Sequence, residues 1–137
     1  MSLIWLRAIN FQLAVKLMLA LPVAGIAFHL LVLAGIVPYS IVWGGRINST
    51  MQLVMLEAFS IVVMLIVIAV IASKGGYIRT NSLRLNKLAS LLLWLLVLLF
   101  ALNTIGNLFA ETLFEMIVFT PLTLTSSILC ARIAIEK

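Results

Sequence analysis

The chain has 137 residues, 65% of them hydrophobic and only 9% charged, with a formal net charge of +5 and a mean hydropathy of +1.31. Soluble domains are about 45–50% apolar and about 25% charged, so a water-soluble globule is excluded and lipid is the expected solvent. The basic balance fits loops beside an anionic leaflet rather than nucleic acid, and a single cysteine excludes internal disulfides and cysteine-based metal clusters.

The first apolar run covers 11–37. It is too long for a signal-peptide core and has no small-residue cleavage site at a suitable end, so it reads as a retained helix. The preceding "SLIWLRAINFQ" is amphipathic, with Trp5 as an interfacial anchor. Residues 38–50 form a loop, yet "VPYSIVWGGR" is greasy. Tyr39 and Trp43 suit the aromatic belt, and Gly44-Gly45 permit a reversal. The expectation is a lid folded over the mouth of the bundle, carrying Arg46 toward a carboxylate, Glu57 first and Glu111 second.

The second span, 51–72, contains "IVVMLIVIAVIA", which has no polar side-chain atom. The basic loop 73–84 follows: Gly75-Gly76 end the second helix, and Asn81 or Ser82 caps the third. The third span, 85–105, is centred on "LLLWLLVLLFAL", and the fourth covers 112–135. Helical spans need about 20 apolar residues, so the expected architecture is an all-α, four-transmembrane-helix bundle in a single domain, 1–137. Orientation follows from the cations. Arg7, Lys16, Lys74, Arg79, Arg84, Lys87, Arg132 and Lys137 all fall on one side of a four-span chain, and Arg46 alone on the other. The positive-inside rule then gives N-in, C-in.

The remaining polar residues gather toward the outer side: His29, Trp43, Arg46, Glu57, Asn103, Asn107 and Glu111 are the candidates for lining a pocket. A charge within a span costs about 2.5–3.5 kcal/mol on insertion scales. Glu57 lies six residues inside the second span, and His29 eight residues from the end of the first, so both should face the bundle. Asn103 and Asn107 are one turn apart and serve either the pocket or interhelical hydrogen bonding. Glu111 and Glu115 read as solvated loop residues. Thr120, Thr123 and Ser127 read as a close-packing seam, and Cys130 as a small buried apolar side chain.

Known small membrane families fit poorly. Vitamin K epoxide reductases need a CxxC pair, small multidrug transporters a glutamate in the first helix, and fluoride channels glycine-rich and Thr/Phe-rich motifs. "WGGR" before the second span, "NTIGN" ending the third and "FTPLT" opening the fourth resemble features of short bacterial four-span membrane proteins without an assigned function. That resemblance implies the bacterial inner membrane and brings no catalytic residue, cofactor or metal. Three roles compete. A polar outer pocket binds or transports a small molecule, lipid or ion. The chain is an accessory subunit, with a second copy or another membrane subunit as partner. It is a small membrane enzyme using His29 and Glu57 as an acid/base pair on a lipid-soluble substrate.

Overall fold

The computed structural model describes residues 3–78 and 82–136. Arg79, Asn81 and Lys137, which figure in the sequence reading, lie outside them. The described residues form four long helices: α1 (Phe11–Leu33), α2 (Thr50–Lys74), α3 (Leu83–Leu108) and α4 (Thr120–Ala134). A single-turn π segment, Glu115–Phe119, runs directly into α4, and the two together make a 20-residue apolar stretch. All four are long and apolar enough to cross a membrane.

Local chemistry sets the helix ends. Asn10 Oδ1 accepts from the Leu13 amide (3.0 Å) at the start of α1, and Ser49 Oγ accepts from the Gln52 amide (3.1 Å) at the start of α2. Gln52 reaches back to the Asn48 amide (3.1 Å), a close variant of the capping box. Ser82 caps α3 through the Leu85 amide at 3.4 Å.

α1 stops at Leu33, four residues before the expected boundary, because Gly35 adopts φ +72°. The amides of Gly35 and Ile36 then close back on the carbonyls of Val32 and Leu31, both at 3.0 Å, which is a Schellman stop. The same paired bonds end α2, from Gly76 to Ser73 (3.3 Å) and from Tyr77 to Ala72 (3.0 Å). α3 runs three residues past the expected 105, so Asn107 is helical as well as Asn103. Pro121 has no amide for the carbonyl four residues back, and the turn before it is the widened π turn.

Each helix packs mainly on its hairpin partner, α1 on α2 and α3 on α4, while lighter α1–α4 and α2–α3 seams close the ring. One core cluster fills the end that holds the chain's N-terminal segment: Ala14, Val15 and Met18, Val67 and Ile71, Leu93, and Cys130 and Ile133. A smaller cluster of Val32, Val42 and Leu53 lies beneath the α1–α2 loop. We call these the basic end and the lidded end. Large apolar side chains such as Phe59 (65% exposed), Leu98 (56%) and Ile117 (68%) cover the outside. Water would not tolerate an apolar surface of this extent.

The basic end is more than a charged rim. Arg132 is buried (5% exposed). Its Nε donates to the Ile9 carbonyl (2.7 Å), its Nη1 to Glu136 Oε2 (2.8 Å), and its guanidinium lies over the Phe11 ring at 5.5 Å. It thereby ties the N-terminal 3₁₀ helix (Leu3–Ala8) to α4, while Leu6 packs inward and Trp5 stays exposed. Lys74 Nζ donates to Ser90 Oγ (3.1 Å) and to the Glu136 carbonyl (3.4 Å), which fastens α2 to the same corner.

Candidate functional site

At the lidded end, the segment between α1 and α2 makes two 3₁₀ turns, Tyr39–Ile41 and Trp43–Gly45. Its composition is explained by what lies on each side. Val42 is buried against Val32 and Leu53, and Trp43 packs beside it, while Tyr39 faces outward. Thr112 Oγ1 lies 3.3 Å from the Ile41 carbonyl, and a Cβ at Gly45 would sit 3.4 Å from the Thr112 methyl, so the segment is seated on the α3–α4 connection. Trp43 adopts φ +56°, a left-handed conformation costly for a side chain of this size. That conformation aims its indole down into the bundle.

What the indole meets is Glu57. Trp43 Nε1 donates to Glu57 Oε1 at 2.7 Å, and His29 Nδ1 is hydrogen-bonded to Glu57 Oε2. The Glu57 side chain is 1% exposed and that of His29 14%. Both carboxylate oxygens therefore have a nitrogen partner, one from α1 and one from the lid. An ionisable group so placed is expensive unless satisfied, and the site meets that condition with two donors from separate elements. Beside it, Phe28, Phe114 and Phe119 form an aromatic cluster with ring centroids 5.5 to 6.3 Å apart, joining α1 to the π segment.

The other expected pocket residues go elsewhere. Arg46 does not reach Glu57. Its Nε lies 3.2 Å from Glu111 Oε1, and both side chains are largely exposed (63% and 64%). The lid does fold back, but at the position beside Glu57 it presents Trp43, and Arg46 is left at the rim. Asn103 is exposed, and its neighbour Thr104 takes the buried position at this level of α3. Asn107 joins a hydroxyl cluster in the α3–α4 seam: its Nδ2 is 3.4 Å from Thr123 Oγ1, which is 2.9 Å from Thr104 Oγ1. Ser127 Oγ donates to the Val97 carbonyl in the same seam (2.9 Å). The seven candidates therefore separate into a hydrogen-bonded trio, with Glu57 buried and His29 and Trp43 half-buried, an exposed ion pair, a seam residue and a surface asparagine.

Glu115 corrects the sequence reading. Expected as a solvated loop residue, it is 6% exposed, with Thr112 Oγ1 2.9 Å from its Oε2. The sequence signal was available: T-x-x-E, with Thr112 three residues before Glu115, is a helix-start pattern, and the π segment begins at that glutamate. Among the described residues no group of three or more His, Cys, Asp or Glu side chains is arranged to hold a metal. No family model, curated protein or solved structure matches this chain.

Proposed function

We propose that this is an integral protein of a bacterial inner membrane, inserted with both termini in the cytoplasm, and that the lidded end is an outward-facing binding site for a small cationic or hydrogen-bond-donating ligand. The observation that carries this reading is the Glu57 carboxylate, held almost fully out of solvent by two replaceable nitrogen donors. One of these, Trp43, belongs to a loop in a strained conformation. Intramembrane ionisable residues mark functional sites by default. A ligand carrying its own N–H or cationic donor takes the place of the Trp43 indole as the lid lifts, so the carboxylate is never left bare. Orientation rests on the Lys and Arg distribution. The basic-end core is filled by apolar side chains such as Met18, Val67, Leu93 and Ile133, which favours a dead-end site over a conduit.

Native mass spectrometry of the full chain, extracted in mild detergent, tests this proposal. The expected result is a small-molecule adduct in the wild type that is lost in Glu57→Gln and retained in Arg46→Ala. An adduct indifferent to Glu57→Gln would overturn it. A second reading, an accessory subunit of a membrane complex, is favoured by one observation: both Glu57 oxygens are already bonded within the chain, to His29 Nδ1 and Trp43 Nε1. An adduct-free chain in a fixed stoichiometric complex with another membrane protein would select that reading.

A further inference from the structure

Two clefts lie on one face of α4. The first, of about 400 Å³, is at the basic end and is lined by Arg7, Arg132, Ile135 and Glu136. The second, of about 350 Å³, is an open apolar groove along the α1–α4 seam, with Leu17 and Leu21 on one wall and Val118, Leu122, Thr125 and Leu129 on the other. Along α4 the residues Leu122, Thr125, Leu129 and Arg132 follow steps of three and four, which is a single helical face, and Val118 precedes them in the π segment. Leu129 of the groove thus lies one turn from Arg132 of the charged cleft, and the α1–α4 seam that contains the groove is one of the two lighter packing interfaces of the ring.

We infer that this seam binds one anionic phospholipid, with its phosphate between Arg7 and Arg132 and one acyl chain in the groove. Three observations on the seam support this. The guanidinium of Arg132 is fixed by Ile9, Glu136 and Phe11 through Nε, Nη1 and its face, so Nη2 has no partner among the described residues, and neither has Arg7. The cleft sets these two cations against the single carboxylate of Glu136, so it favours an anion, and guanidinium forks suit phosphate. The apolar groove also has the right length. Val118 to Leu129 spans eleven residues, about 16 Å at 1.5 Å per residue, against about 15 Å for one leaflet of a hydrocarbon core about 30 Å thick. A free anion would use the cleft and leave the groove idle, whereas a phospholipid fills both.

This inference rests on the membrane reading but not on the His29–Glu57 site. The test is native mass spectrometry of the full chain in detergent, titrated in separate arms with phosphatidylglycerol, with phosphatidylcholine of the same acyl chains, and with inorganic phosphate. Phosphatidylglycerol should be retained on the order of tenfold better than phosphatidylcholine, because only its headgroup carries a net negative charge for the two arginines to attract. Arg7→Glu, at an exposed position that the fold does not use, should remove that preference. Glu136→Gln should strengthen it, and Thr125→Trp, at the groove rim, should weaken retention of both lipids. Equal retention of the two lipids, or indifference to Arg7→Glu, would overturn the inference. Occupancy by inorganic phosphate alone that matches the lipid would assign the cleft to a free anion and overturn the groove. A chain that stays soluble without detergent would instead overturn the membrane reading, so the two failures are distinguishable.

Discussion

Trp43→Phe is the most discriminating perturbation of the lidded end. It keeps an aromatic ring beside Val42 and Leu53 and removes the indole N–H that lies 2.7 Å from Glu57 Oε1, together with part of the indole ring. A hydrogen bond to a charged group contributes about 1.5–3 kcal/mol. Because Glu57 is almost completely buried, water cannot replace the lost donor without opening the lid. The expected loss is therefore in the upper part of that range, before any contribution from the smaller ring. The double cycle with Glu57→Gln isolates the contact. Glutamine keeps an oxygen for the indole but removes the charge, and charge-assisted bonds are roughly twice as strong as neutral ones. The coupling between the two substitutions should then be about 1 kcal/mol or more. Unfolding by heat or by added denaturing detergent, followed by circular dichroism, gives all four stabilities. A Trp43→Phe variant within about 0.5 kcal/mol of the wild type, or losses that add within the 0.3–0.5 kcal/mol typical of independent sites, would refute the indole–carboxylate contact and the strained loop built around it.

The exposed Arg46–Glu111 pair should contribute little: Arg46→Ala is expected to cost about 0–1 kcal/mol in the same assay, and its effect should add to that of Glu57→Gln, since the two do not meet. Gly35 has open space around its Cα, so Gly35→Ala meets no clash and pays only for the left-handed backbone; a loss of about 1–2 kcal/mol, with Gly35→Asn milder, would identify the Schellman stop as its source. Arg132→Gln should destabilise by about 2–3 kcal/mol, because the Ile9 carbonyl loses its donor, and limited proteolysis should then cut first within Leu3–Ala8. Topology is tested by thiol labelling of intact cells carrying Ser49→Cys or Ser82→Cys. Cys130 is buried and should give little background. Ser49→Cys should label from outside and Ser82→Cys should not, and labelling of both from one side would overturn the N-in, C-in orientation.

Composition and periodicity alone were enough to read four apolar helices, because a run of about 20 apolar residues has one stable way to satisfy its backbone in lipid. The cap at Ser82 and the glycine stop after α2 were legible for a similar reason: they are contacts over three to five residues, set by the local chain. The early end of α1 was less so, since Gly35 can continue a helix as well as end one, and its left-handed turn is chosen together with the loop that follows. Glu57 and His29 could be picked out as costly and inward-facing, but their partners could not be ranked from the sequence. Arg46 and Trp43 are three residues apart on a loop that reverses direction, and which one faces the carboxylate depends on the backbone angle at Trp43 and on where the α3–α4 connection supports the loop. Arg132 shows the same limit at the opposite end. The sequence marks it as one more cation beside the membrane, whereas the carbonyl of Ile9, distant along the chain, makes it a buried anchor. Which polar group meets which is fixed by long-range packing, and a bundle whose helices are apolar on nearly every face leaves that choice to a handful of hydrogen bonds.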